Sequence, residues 1–199
     1  MNIIYSYKNI DIISENLNTN LYSLPSNSFF SKFLHKYKLL YKSNDDKLFF
    51  KADSIFTLTD FISNNSKNIN ILPPMLSFFF EQLFYLEECK KTILYFNPDD
   101  IIIINKRIIL FVNFSLVKKF DLENKVYFES DFPFSQYSAP EIINSESPYF
   151  YYTFSYYSLC AMFLKLFNIH NINYIYSDRL YFLFKNAMNL DPLKRFLLY

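Results

Sequence analysis

Apolar residues recur along the chain at two spacings, and each spacing predicts its own kind of element. After Pro73-Pro74, Leu76, Phe79, Phe80, Leu83 and Phe84 fall three and four apart, which predicts an amphipathic core helix running to about Lys91. Ser155 to Phe167 is apolar on all sides, the pattern of a helix inside a core, and Asp178 to Asn189 is also helical in pattern. Ile101 to Ile104 and Ile108 to Val112 are β-branched runs joined by Asn105-Lys106-Arg107, a predicted hairpin. A short strand is predicted at Ile3 to Tyr7, followed by a helix from Asp11 to Leu24 that ends before Pro25. Phe33 to Tyr41 and Leu48 to Ala52 flank the turn-forming Ser43-Asn44-Asp45-Asp46, so a second hairpin is predicted and His35 falls on a strand. Asn64 to Asn70 reads as a polar linker. The expected fold class is α+β, with helices concentrated in the C-terminal part.

Composition narrows the function classes. A chain of 199 residues with 51% hydrophobic and 22% aromatic residues can build a real core, so a disordered class is excluded. The formal net charge of +1 comes without a basic stripe, which argues against nucleic acid and against a polybasic membrane anchor as partners. Asn, Ile, Lys, Phe and Tyr are abundant and Gly is absent, a pattern expected of an A- and T-rich genome. The count of zero glycines has a chemical consequence: P-loops, Rossmann fingerprints and glycine-rich phosphate covers all need glycine where backbone approaches phosphate. Cys89 and Cys160 show no metal-ligand spacing and read as reduced core residues of an intracellular protein, with a disulfide as the alternative. Met1 to Ile10 lacks the pattern of a signal peptide and no apolar run reaches membrane-spanning length, so a cytoplasmic or nuclear location is expected.

The richest stretch for chemistry runs from Tyr95 to Ser115. The protein-kinase pattern H-R-D-L-x-x-x-N sets a catalytic-base Asp ahead of a metal-binding Asn, and D-F-G follows after two short strands. Pro98 gives the register, and the segment resembles that centre with its chemistry replaced. Tyr95 then stands at the base, Asn97 at the neighbouring degenerate position and Asp100 at the metal-binding Asn, while Asn113, Phe114 and Ser115 stand at D-F-G. A phenol with a reference pKa near ~10 is a poor acceptor for a hydroxyl proton at neutral pH. Asp100 and Asn113 together keep one carboxylate and one amide, both oxygen donors suited to Mg²⁺, so the swapped pair leaves nucleotide binding open as an alternative. Asp99 reads as a solvated loop acid.

Further motifs follow in the family's order. Ser138-Ala139-Pro140-Glu141 contains A-P-E, Ser155-Tyr156-Tyr157-Ser158-Leu159-Cys160 resembles D-x-W-S-L-G, and Asp191-Pro192-Leu193-Lys194-Arg195 resembles D-P-x-x-R. The resemblance implies a Glu141–Arg195 ion pair, largely buried. It also implies that Ser155 replaces an Asp that ties the central helix to the catalytic loop. Residues 1–56 are expected to be a truncated N-lobe remnant, with a hinge at Asp53 to Phe56 and a short helix opening at Thr57; residues 57–199 are expected to be the C-lobe. Lys8 and Glu15 are the nearest candidates for vestiges of the phosphate-contacting Lys and its helix-borne partner.

The charged and aromatic stretch from Leu116 to Gln136 falls where an activation segment would lie. His35 and His170, the carboxylates Glu87 and Glu88, and the cluster Tyr149 to Tyr152 read as surface or packing residues, with the two glutamates on a solvated helix end. What the resemblance implies is a degenerate pseudokinase that needs no cofactor or metal and binds a protein, either an active kinase or a host factor. An atypical phosphotransferase using Asp99 or Asp100, and a purely structural or oligomerising protein, are the competing classes.

Overall fold

The computed structural model describes residues 2–7, 10–16, 20–64, 72–128, 134–144, 147–169 and 177–197. In chain order the elements begin with β1 (Asn2–Tyr7), β2 (Ile10–Asn16), β3 (Leu21–Pro25), α1 (Ser28–Lys36), β4 (Tyr41–Ser43), β5 (Lys47–Lys51), β6 (Ile55–Thr57) and α2 (Leu58–Asn64). Then come α3 (Leu72–Glu88), β7 (Lys91–Ile93), β8 (Ile101–Ile104), β9 (Ile108–Phe111), β10 (Val117–Lys119) and β11 (Lys125–Tyr127). The last are α4 (Pro140–Asn144), β12 (Tyr149–Tyr151), α5 (Phe154–Ile169) and α6 (Asp178–Ala187). Two compact units result, one from residues 1–64 and 99–114, the other from 65–98 and 115–199. Helices and small antiparallel sheets make the fold α+β, as the pattern predicts.

The first unit holds a five-stranded antiparallel sheet in the order β1-β2-β3-β5-β4 and a three-stranded one in the order β6-β8-β9. Several expectations fail here. The helix predicted from Asp11 to Leu24 is two strands, because antiparallel pairing of β2 with β1 and β3, and of β3 with β5, supplies backbone partners that a local reading of apolar spacing cannot see. Glu15 therefore lies in β2 rather than on a helix, and Lys8 lies outside the described residues. Conversely, the strand predicted from Phe33 carries α1 instead, and His35 sits in that helix. Asn27 explains the start: its side-chain oxygen accepts from the Phe30 N–H at 2.8 Å, and Phe29, Phe30, Phe33 and Leu34 then fall on one buried face. The turn at Asn44 and the strand after it stand where predicted, with the Lys47 N–H donating to the Asn44 side chain at 2.8 Å. Ile55 to Thr57, next to the expected hinge, is a strand paired with β8. Among the described residues of 1–56 lie the strands β1 to β5, the helix α1 and the start of β6.

The second unit is built around rings. Phe79 on α3 meets Phe96 edge-on at 5.8 Å and Phe163 on α5 at 5.6 Å; Phe163 meets Phe167 at 5.9 Å, and Phe167 meets Phe184 on α6 at 5.6 Å. Such edge-to-face contacts each add roughly 0.5–1.5 kcal/mol beyond area burial, so this chain of rings fixes three helices and one loop to each other. β7 pairs with β10 and β11 with β12, both antiparallel. Of the five residues expected on the core face of α3, Leu76, Phe79, Phe80 and Leu83 are buried and Phe84 is exposed. Cys160 is buried in α5, whereas Cys89 is exposed just beyond the end of α3, and both are free thiols. The linker residues 65–70, His170, and residues 129–133 of the charged loop lie outside the described residues.

With no glycine available, left-handed backbone is taken by Asn20, Lys38, Lys90, Asn105, Lys106 and Asn124, with φ between 50° and 64°. Asparagine tolerates this region; lysine bears a Cβ clash of about 1–2 kcal/mol. Asn105 and Lys106 form the two central residues of the β8–β9 hairpin, where a primed turn demands positive φ at both. Asn105 is further fixed because its side-chain oxygen accepts from the Asp53 N–H at 2.7 Å, while Lys106 is exposed. Lys106→Gly should therefore raise stability by roughly 0.5–1 kcal/mol after the entropy of the unfolded glycine is counted. A urea midpoint that falls instead would show that the turn does not carry this strain.

Candidate functional site

In the first unit, β8 and β9 bring Asp100 and Asn113 together. Four isoleucines from Ile101 to Ile104 and the run Ile108 to Phe111 are buried, so the hairpin is anchored along its whole length and its open end is held in place. At that end the Val112 N–H donates to the Asp100 carbonyl at 2.9 Å. The Asn113 side-chain amide donates to Asp100 Oδ1 at 2.9 Å, and both residues are buried. Each of the two positions that could supply oxygen to a divalent cation thus has the other as partner. The bond occupies Asp100 Oδ1 and the amide nitrogen of Asn113. Asp99 is exposed and accepts from the Thr59 hydroxyl on α2, which makes it a loop-to-helix tie. Phe114 packs edge-on against Phe29 and Phe30 of α1, at 5.0 and 5.1 Å. Among the described residues no three of His, Cys, Asp and Glu are placed to hold a metal ion.

In the second unit, Tyr95 and Asn97 follow β7 in a loop whose middle residue, Phe96, is fully buried. Its N–H donates to Ser158 Oγ on α5 at 2.8 Å, and the Leu94 N–H donates to the Leu116 carbonyl at 2.9 Å. The helix-to-loop tie expected to be lost at Ser155 is therefore made one turn further along α5, by Ser158. Ser155 itself donates back to the Tyr152 carbonyl at 3.0 Å. Sequence reasoning missed Ser158, although a hydroxyl in the middle of an otherwise apolar buried helix is itself a signal that some backbone group needs it.

Glu141 and Arg195 meet as the resemblance implies. Both guanidinium Nη atoms donate to the carboxylate, Nη2 to Oε2 at 2.8 Å and Nη1 to Oε1, with the arginine side chain fully buried and that of the glutamate 18% exposed. Arg195 also donates through Nε to the Asn189 carbonyl at 2.6 Å, and its guanidinium lies 5.1 Å from the centre of the Tyr157 ring. Ala139 is buried, and Pro140 opens α4, which presents Glu141 in its first turn. Asp191 caps the turn before Arg195 by accepting from the Leu193 N–H at 3.0 Å.

Glu87 is not on a solvated face. Burial pushes its carboxyl up to about 7, opposed in part by a hydrogen bond from Tyr156, and Oε1 is buried with no hydrogen-bond partner. Tyr156 is itself pushed well above the ordinary tyrosine range, first by burial and then by the nearby Glu87 charge. Glu88 is exposed, as expected. In the aromatic cluster Phe150 packs inward while Tyr149 is exposed against Tyr127, with ring centres 5.2 Å apart. No known protein family matches the chain, and no curated protein does. No described helix is long and apolar enough to cross a membrane.

Two outcomes are expected. Arg195→Leu strands a mostly buried carboxylate and should cost about 3–5 kcal/mol, whereas Glu141→Gln, which keeps an acceptor, should cost less; urea unfolding of both variants compares them. For Glu87 the folded protein holds its proton up to about 7 while the unfolded chain releases it near 4.5, so the folded state binds the extra proton between these values. Stability linked to this group is present below the lower value and declines as pH rises through the upper one. The difference in urea midpoint between the wild type and Glu87→Gln should change across that window and level off above it. A difference independent of pH would contradict the burial of this carboxylate.

Proposed function

We propose that this chain is a catalytically inactive pseudokinase that acts as a protein-binding scaffold or allosteric regulator. The observation that carries the reading is the Asp100–Asn113 hydrogen bond, because it joins the two residues aligned with the metal-binding positions to each other. Tyr95 at the catalytic-base position and a chain with zero glycines point the same way, since neither a strong proton acceptor nor a glycine-rich phosphate cover is present.

Support for the kinase-like part comes from the sheet and the ion pair. The resemblance implies only a truncated N-lobe; ahead of β4 and β5 the chain carries β1, β2 and β3, with α1 between β3 and β4, a sheet-and-helix make-up that supports the reading of a lobe there. Phe114, aligned with the Phe of D-F-G, lies against that helix. Glu141 and Arg195, aligned with A-P-E and D-P-x-x-R, form their bidentate pair. On this reading the lobe architecture is kept for its surfaces while the phosphate chemistry is abandoned. The partner is a protein, an active kinase or a host factor, and no cofactor is required.

Titration with ATP and Mg²⁺ should leave the melting temperature unchanged, and labelled ATP should give no phosphate incorporation into the chain or into a generic acceptor protein. Saturable stabilisation that disappears in Asp100→Ala and Asn113→Ala would instead support the nucleotide-binding alternative. The reverse substitutions Tyr95→Asp, Asp100→Asn and Asn113→Asp together should not restore transfer, because the glycine-rich cover would still be missing.

A further inference from the structure

A cavity of about 860 Å³ lies at one end of the five-stranded sheet, bounded by β3, by the turn after α1, and by β4 and β5. Its volume is in the range of sites that take small ligands. Leu21, Leu39, Leu40 and Phe49 give it an apolar lining, with Leu40 91% exposed at its rim. Lys38, Lys42 and Lys51 line the same cavity, and among the described residues no acidic side chain does. Among the described residues none of the three lysines has an ion pair. Lys38 is also held at a φ of 57°, which fixes the turn that presents Leu39 and Leu40.

These features define the chemistry of an occupant: an apolar body with an anionic head. A peptide added as a further strand is the less favoured form, because β4, the edge strand, is only three residues long and offers few backbone groups to pair. A planar membrane is also less favoured, since the apolar residues are few and the three lysines are set around one opening rather than spread over a face. We propose that this cavity binds a long-chain carboxylate, with the acyl chain on Leu21, Leu39, Leu40 and Phe49 and the carboxylate among Lys38, Lys42 and Lys51. The ammonium groups supply charge-assisted hydrogen bonds to the head while the chain is withdrawn from water. This site lies within the first unit and does not depend on the scaffold reading.

The test uses the full chain and the fluorescent long-chain carboxylate cis-parinarate, kept below its aggregation threshold. Saturable binding at one site per chain is expected, displaced by palmitate and much less well by hexadecanol, which has the same tail without the charge. The triple variant Lys38→Glu, Lys42→Glu, Lys51→Glu should weaken binding by at least about tenfold through charge reversal. Leu40→Asp should weaken it comparably and, being almost fully exposed in the wild type, provides the decisive variant if the triple one loses its cooperative melt. The proposal is overturned by any of four results: no saturable binding, equal displacement by hexadecanol, binding unchanged in Leu40→Asp, or stronger competition by an alternating acidic-apolar peptide or by phosphatidylserine vesicles than by palmitate.

Discussion

Burial of α5 is the constraint on which the second unit is organised. Phe154, Leu159, Met162, Phe163 and Phe167 carry it through the core, so every polar group that it brings inside must find a partner there. Ser158 meets this requirement by accepting the Phe96 N–H, and the loop holding Tyr95 and Asn97 is positioned as a result. Thr153, just before the helix, donates to the Pro192 carbonyl at 2.8 Å, and Tyr157 lies beside the Arg195 guanidinium. One helix thereby orders the loop after β7 and the segment that pairs with Glu141. Arg195 in turn joins α4 to the segment after α6, through a carboxylate, two carbonyls and an aromatic face.

A second constraint, the absence of glycine, acts on both units and is plainest in the first. Tight turns are made with asparagine and lysine in left-handed backbone, and asparagine side chains then do a second task. Asn105 accepts from the backbone of Asp53 and Ser54, tying the hairpin tip to the residues before β6. At the other end of that hairpin the Asp100–Asn113 bond closes the two strands on each other. A buried carboxylate facing a buried amide is a stable arrangement, because the acceptor is met by a donor without a bound cation.

Much of the architecture was legible before the fold was known. The long helices at Leu72, Phe154 and Asp178 and the β8–β9 hairpin follow from strong periodicity and β-branching, and the order of short motifs located the Glu141–Arg195 pair. Less legible were the segments from Asp11 to Tyr41, where strand and helix were exchanged. Local apolar spacing there is ambiguous, and the winning state depends on β-sheet partners up to thirty residues away in the chain, as in the pairing of Leu21 with Lys51. The site was half legible: motif spacing picked out Asp100 and Asn113, which the fold brings together, but not the tie made by Ser158 or the burial of Glu87.

By itself, then, the amino-acid sequence determined that every turn is made without glycine and which stretches must be buried, since both depend on side-chain type and local spacing. Only the tertiary structure decided which polar groups satisfy each other: Asp100 with Asn113, Ser158 with Phe96, and Glu87 left with one oxygen unpartnered beside Tyr156. The physical reason is that the free energy of a buried polar group is set by atoms within hydrogen-bonding reach, and those atoms come from parts of the chain that no local pattern connects.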